Sequence, residues 1–262
     1  MSGLPPPGCR AVLVTGGGSG IGLAVAQRLM AAGGRVALVG RRPAPLEAVA
    51  ARFPGRAFAL PCDLSDPAQR QGLVQRAREA MGELDGLVHS AGMVVHQPPG
   101  HIDDGALRAQ LEVNLVAPLR LGEEALELLP RGGGMVFIAS TLARRPILTS
   151  AAYSAAKAGL LQAMRVLALA GAPRGVRANA VLPGVVNTEL VRTLRLAPGE
   201  APPEGAARAE REVAQLAGLA NLHPLGRVGR TEEIAEAVQY LLGAAWTTGA
   251  ELVVDGGLML RE

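Results

Sequence analysis

Short apolar runs rich in β-branched residues alternate along this chain with longer stretches of Ala, Leu, Arg and Glu, from near the N-terminus to the end. That alternation is the mark of βαβ units wound about a parallel sheet. The pattern predicts strands over 11–15, 35–39, 56–62, 86–90, 135–140, 177–182 and 251–254. Helices are predicted over 20–32, 45–52, 67–81, 103–129, 151–170 and 231–242. Asp66 before Pro67, and Thr231 before Glu232 and Glu233, are helix-start signals. The expected architecture is α/β: one doubly wound parallel sheet of about seven strands, helices on both faces, in one domain over 1–262. Residues 1–9 read as a flexible N-terminal segment. The rhythm breaks over 188–227, where Pro198, Pro202, Pro203 and Pro224 surround a helical patch at 206–219 with no strand candidate. An insertion of that kind reads as a lid over a site.

Composition narrows the class. Apolar residues make up 49% of the chain but aromatics only 2%, so the core is built from Ala, Val and Leu. The net charge of +3 is spread along the chain, which gives no reason to expect nucleic acid or a membrane surface as partner. Cys9 and Cys62 lack metal-ligand spacing and read as reduced thiols of a cytoplasmic protein. No secretory leader or membrane span is expected. The four histidines form no recognisable zinc pattern, so no metal is expected.

Candidate chemistry begins with Tyr153 and Lys157. Lys157 is the one lysine among 26 basic residues and lies four positions after one of only two tyrosines. On a helix the two side chains share a face. A cation there favours phenolate and lowers the tyrosine pKa toward the range useful for general acid/base transfer. In an arginine-biased chain, a retained lysine marks a place for a compact charge with rotatable donors.

The first strand ends in Thr15 and runs through Gly16, Gly17, Gly18, Ser19, Gly20, Ile21 and Gly22 into a helix. Strand, glycine turn and helix in that order bring backbone amides to a pyrophosphate at the helix N-terminus, the dinucleotide signature. After the second strand the chain reads Val39-Gly40-Arg41-Arg42, with no carboxylate before Glu47. An acid there would bind ribose hydroxyls and repel a 2′-phosphate, whereas Arg41 can receive one. NADP(H) is the expected cofactor, with NAD(H) as the alternative. Asp63 either accepts from the adenine amino group or caps a turn.

With these motifs in place, the chain resembles the short-chain dehydrogenase/reductase family in its compact form, from Arg10 to Leu258. The resemblance rests on the loop Thr15 to Gly22, the pair Asp63-Leu64, Asn114 in Val113-Asn114-Leu115, and Ser140 thirteen residues before Tyr153. It extends to the stretch Pro183-Gly184-Val185-Val186-Asn187-Thr188 and to Val254-Asp255-Gly256-Gly257. It implies a Rossmann-type fold and hydride exchange between cofactor and a carbonyl or secondary alcohol. Tyr153 would pass the proton, and Lys157 would hold the nicotinamide ribose and depress the tyrosine pKa. Ser140 would orient the substrate oxygen, and Asn114 would hold a water linking Lys157 to solvent. The implied cofactor contacts also include Ser90, Ala91, Gly92, Pro183, Gly184, Val186 and Thr188. Two departures stand out. His89-Ser90 stands where the family usually has Asn-Asn or Asn-Ala, with His89 expected to tie the fourth strand to the cofactor loop in a pH-sensitive way. The link 243–249 is short, which bears on subunit contacts. Ser19, too, lacks the basic side chain that some NADP-using members carry there.

The residues following these motifs are mostly apolar, which suits a ketone or 3-oxoacyl substrate. Arg144, Arg145, Arg192 and Arg195 are candidates to contact an anionic acyl carrier, or else are solvated surface charge. Two other readings stay open: an NAD(H)-dependent alcohol or polyol dehydrogenase, and a non-catalytic dinucleotide-binding regulator. Small residues on the Tyr153 helix, from Ala151 to Ala163, together with the resemblance, imply a homodimer or homotetramer.

Overall fold

The computed structural model describes residues 9–194, 200–201 and 203–261. Arg195, Pro198 and Pro202 lie outside the described residues, as do residues 1–8 of the expected N-terminal segment. The last residue of that segment, Cys9, is buried against the start of the sheet.

Seven strands, β1 (Ala11–Thr15), β2 (Arg35–Gly40), β3 (Ala57–Pro61), β4 (Gly86–His89), β5 (Gly134–Ile138), β6 (Arg177–Pro183) and β7 (Glu251–Val254), form one sheet in the order β3-β2-β1-β4-β5-β6-β7. Every pairing is parallel. Strands covered on both faces read as continuous apolar runs, and β1, β4, β5 and β6 are buried throughout. Successive β1 residues divide between two cores: Ala11 and Leu13 face one helical layer, Val12 and Val14 the other.

The first layer holds α4 (Leu73–Met81), α6 (Ala117–Leu128) and α7 (Ala151–Gly171), and the second holds α1 (Gly20–Ala31), α2 (Pro43–Arg52) and α10 (Thr231–Gly243). The order reverses between β1 and β4, which opens a crevice at the carboxyl ends of the strands.

Two expected helices are interrupted. The one expected over 67–81 splits into α3 (Pro67–Arg70) and α4, because Gly72 takes a left-handed φ of 68°. Arg76 then caps the broken end by donating to the carbonyls of Gln69 and Gln71, each at 2.6 Å. The one expected over 103–129 runs as α5 (Asp104–Leu111), a π-helical turn (Glu112–Val116) and α6. π turns of this kind often mark functional sites, and Asn114 lies at the middle of this one.

Longer-range ties complete the frame. Buried Arg177 on β6 donates to the carbonyls of Leu241, Leu242 and Ala244, satisfying acceptors that the end of α10 leaves unpaired. Asn179 exchanges hydrogen bonds with Thr247 and Ala250, stitching the short 243–249 link to the sheet edge, while Trp246 in that link is fully exposed. The 188–227 insertion contains α8 (Glu189–Arg192) and α9 (Gly205–Ala220). No helix among the described residues is long and apolar enough to cross a membrane.

Candidate active site

A cavity of about 980 Å³ occupies the crevice at the β1/β4 reversal. The turn after β1 forms one end of it. Gly16 has φ 68° and Gly20 φ 52°, conformations that favour glycine. Gly22 is required by contact: a Cβ there would sit 2.3 Å from the carbonyl oxygen of Gly16. Gly22→Ala should therefore destabilise the fold by about 1–3 kcal/mol through overpacking against backbone, read as a lower urea midpoint. An unchanged midpoint would remove the contact argument. Ser19 stands at the N-cap of α1 in extended conformation without capping it through its side chain. The first-turn amides of α1 therefore face the cavity as donors, the arrangement that receives a phosphate. These residues fit a dinucleotide.

The end of β4 is joined to this turn by Thr15, whose Oγ1 accepts from the backbone N–H of Ser90 and of Ala91, both at 3.1 Å. His89 does not serve as that tie. Its ring points into the core, fully buried, with no hydrogen bond to either nitrogen. Burial, aided by the charge of Lys157, pushes the imidazole down from 6.5 to about 3, so its protonation does not regulate the loop near neutral pH.

Arg41 is exposed at the rim, and its neighbour Arg42 pairs with Glu189 on α8 at 3.3 Å. Asp63 lines the cavity and also closes a turn, its Oδ1 accepting from the amide and hydroxyl of Ser65 at 2.9 and 2.7 Å. Those bonds hold its carboxyl below the usual range. The turn-capping reading of Asp63 is thus realised, alongside its position at the cavity wall.

Ser140, Tyr153 and Lys157 meet on the opposite wall. Ser140 follows β5, and its Oγ accepts from the amide of Leu142 at 3.1 Å, which fixes the hydroxyl at a 3₁₀ turn. Tyr153 and Lys157 share one face of α7. The lysine Nζ lies 5.7 Å from the tyrosine ring centre and donates to the carbonyl of Ile138 at 2.8 Å.

The electrostatics differ from the simple expectation of a cation lowering the phenol. Burial pushes Tyr153 up to about 12, with Ser140 opposing, and pushes Lys157 down to about 7. Desolvation disfavours the charged form of each. It outweighs their mutual attraction here, because the lysine is nearly covered and points at a carbonyl.

Asn114 is buried in the π turn just behind the wall, where its Oδ1 accepts from the amide of Met93 at 3.2 Å and its Nδ2 donates to the Met93 carbonyl at 2.8 Å. A Cβ added to Gly92 would lie 3.0 Å from Asn114 Oδ1 and 3.7 Å from Lys157 Nζ, so both side chains converge on that glycine.

All the cofactor-side positions expected from the sequence line this one cavity: Gly16, Ser19, Gly20, Ile21, Gly22, Arg41, Asp63, Leu64, Ser90, Ala91, Gly92, Pro183, Gly184, Val186 and Thr188, with Tyr153 and Lys157. Asn114 alone of the expected set does not line it. Leu219 and Leu222, from the insertion expected to act as a lid, form part of the wall, and sequence reasoning missed Leu258, Met259 and Arg261 beyond β7, which also form it. No local motif marks these last three. His223, also unsingled in sequence, latches the insertion to the site: its Nε2 accepts from the amide of Val185 at 3.1 Å. That bond leaves the proton on Nδ1, which donates to the carbonyl of Leu219 at 2.9 Å. Among the described residues, no cluster of His, Cys, Asp and Glu could hold a metal ion.

A parallel sheet with a glycine turn at its reversal, and a Ser/Tyr/Lys wall facing that turn, defines a dinucleotide-type oxidoreductase scaffold. A family model described as Enoyl-(Acyl carrier protein) reductase matches residues 16–259. The cis-4-hydroxycyclohexanecarboxylate dehydrogenase of Sinomonas cyclohexanicum is 36% identical over 256 residues, covering 95% of this chain and 96% of that one. The 3-oxoacyl-[acyl-carrier-protein] reductase of Mus musculus is 32% identical over 248 residues, with 94% and 97% coverage. The ligand-free aldohexose dehydrogenase of Thermoplasma acidophilum superposes with a TM-score of 0.85 at 28% identity, over 98% of this chain and 97% of that one. The chain belongs to the short-chain dehydrogenase/reductase family. It is an oxidoreductase acting on alcohol or carbonyl groups.

Proposed function

We propose that this protein reduces a ketone or 3-oxoacyl carbonyl with NADP(H), using Tyr153 as general acid. The observation that carries the reading is the convergence of Ser140, Tyr153 and Lys157 on one wall of the cavity that the glycine turn closes. When bound, the nicotinamide supplies the hydride.

Ser140, its hydroxyl oriented by the Leu142 amide, donates to the substrate oxygen and aims the carbonyl. Tyr153 is held protonated at neutral pH by burial, the state needed to donate a proton as charge grows on that oxygen. Lys157 has donors beyond the one spent on Ile138, and these serve the nicotinamide ribose. With its pKa drawn down to about 7, Lys157 gains and loses a proton near neutral pH and replenishes the phenol. Asn114 secures the Gly92–Met93 backbone beside that ammonium and carries the relay toward solvent through a water. In the reverse direction, a protonated Lys157 favours the phenolate that alcohol oxidation needs.

The NADP(H) assignment rests on the stretch Gly40-Arg41-Arg42 at the cavity rim. Arg42 is engaged by Glu189, which leaves Arg41 as the reader of a 2′-phosphate. Arg41→Ala is expected to weaken NADPH binding by tenfold or more, in line with the roughly 1.5–3 kcal/mol of a charge-assisted hydrogen bond, and to change NADH binding little. Titration by nicotinamide fluorescence measures both, and equal losses would exclude Arg41 as the discriminator.

A cytoplasmic location fits the two free, buried cysteines. A homo-oligomer fits the exposed face of α7, where Val166 and Leu169 are 62% and 76% accessible beside small residues. Gly159 has a different use: a Cβ there would lie 3.1 Å from Leu115, so its smallness serves packing against the π turn within the chain.

A further inference from the structure

The cavity carries an imbalance of charge that the reaction does not explain. Its lining contains Arg41, Arg42, Lys157, Arg145 and Arg261 but only one acid, Asp63. Arg41, Arg42 and Asp63 follow β2 and β3, on the cofactor side of the sheet reversal. Arg145 follows β5 and Arg261 follows β7, on the side of Ser140 and Tyr153.

Among the described residues, neither of these two arginines is matched to a carboxylate. Arg145 donates from Nη1 to the carbonyls of Leu258 and Arg261, and Arg261 donates from Nη1 to the carbonyl of Asn221 at 2.5 Å. Carbonyls orient a guanidinium without neutralising it, and among the described residues Nε and Nη2 of both make no hydrogen bond. Among the described residues, Asp255, the acid nearest Arg261 along the chain, spends both oxygens on the amides of Gly257 and Met259.

Two other arginines of the neighbourhood, Arg144 and Arg192, do not line the cavity. Arg144 pairs with the buried carboxylate of Glu251, which Arg165 clamps from its other side. Arg192 donates to Asn187 at 3.0 Å. Of the four arginines considered for an acidic carrier, Arg144 is neutralised by Glu251, Arg145 lines the cavity, and Arg195 lies outside the described residues. The two unmatched cations are instead part of the cavity wall, among apolar residues such as Ile147, Leu222 and Met259. A cleft walled by charge of one sign concentrates ligands of the other, and a guanidinium fork fits a carboxylate.

Building on the reading of this cavity as the site of hydride transfer, we infer that the substrate is a small oxo- or hydroxycarboxylic acid with an apolar body. Its carboxylate is read by Arg145 and Arg261 while its carbonyl or alcohol faces Tyr153. The post-Ser140 segment and the turn beyond β7, pinned to each other by Arg145, form this anion subsite.

The test compares 4-oxocyclohexanecarboxylate with its primary amide, which differs in charge and little in shape. Turnover is measured with NADPH, and binding of cyclohexanecarboxylate and cyclohexanecarboxamide is measured by calorimetry on the NADP-loaded enzyme. The wild type should favour the acid over the amide by tenfold or more in both measurements, as expected for losing a charge-assisted contact. Arg145→Gln and Arg261→Gln should each lower that ratio toward one. A general loosening of the tail would weaken acid and amide alike and leave the ratio unchanged.

Equal use of acid and amide, or binding of neither, overturns the anion subsite. So does a higher kcat/KM for a neutral N-acetylcysteamine 3-oxoacyl thioester than for the acid. Acid-selective binding without turnover of any ketone would instead sink the catalytic reading and leave the subsite standing.

Discussion

Tyr153→Phe is expected to bind dinucleotide as the wild type does and to lose turnover by about 10²–10⁴-fold, the usual contribution of a positioned acid or base. The substitution removes one oxygen and leaves the ring against α7, so the cavity keeps its shape. Ser140 stays oriented by the Leu142 amide and Lys157 stays on the Ile138 carbonyl, so neither neighbour depends on the phenol for its position. The loss should fall on kcat with KM little changed, because the missing interaction is made as the proton moves. Turnover and nicotinamide fluorescence titration on the same preparation separate the two effects. Wild-type turnover in this variant would end the assignment of Tyr153 as the acid, and loss of dinucleotide binding would recast it as a structural residue.

The second large effect concerns stability in acid and comes from His89. Buried without a hydrogen bond, its ring is held neutral down to about pH 3, whereas the unfolded chain takes up the proton near 6.5. Above pH 6.5 both states are neutral and the group contributes nothing to the pH dependence. Between about 6.5 and 3 the unfolded state binds one more proton, so stability falls with decreasing pH by up to about 1.4 kcal/mol per pH unit from this residue. His89→Leu keeps an apolar group in the core and removes the titration. Urea unfolding between pH 4 and 7 should show a flatter dependence in the variant, and an unchanged slope would mean that other groups govern acid unfolding. The site is not a neutral-pH switch: reading His89 from sequence as a loop tie overlooked that alternate positions of β4 face the helical layer of α4, α6 and α7, where no polar partner reaches it.

Much of the architecture was legible before any coordinate. Strands buried on both faces must be continuous apolar runs, so β1 appears at its predicted bounds; the edge strand β7 does too, and the remaining strands lie within about two residues of theirs. The glycine turn was legible for a steric reason: Gly16, Gly20 and Gly22 stand where a left-handed backbone or a carbonyl at 2.3 Å excludes a side chain. Helix continuity was less legible. Gly72 and the π turn break two runs of helix-forming residues whose composition alone reads as unbroken, and both breaks are stabilised by partners distant along the chain or supplied by the new end. Arg70, for example, bonds the Leu64 carbonyl and Glu112 at the head of the π turn, each at 2.6 Å.

The order of apolar runs, the glycine spacing and the four-residue step from Tyr153 to Lys157 are local properties, carried by steric rules and helix periodicity, and they suffice for the family, the sheet and the candidate catalytic set. Charge state and pairing are different, because each is summed over groups that only folding brings together. The phenol near 12, the ammonium near 7 and the imidazole near 3 follow from burial that depends on which helices cover which strand. The same holds for the arginines: Arg144 and Arg145 are adjacent in the chain, yet one is neutralised by Glu251 on β7 and the other faces the cavity beside Arg261. No local pattern distinguishes them, since their partners arrive from more than a hundred residues away.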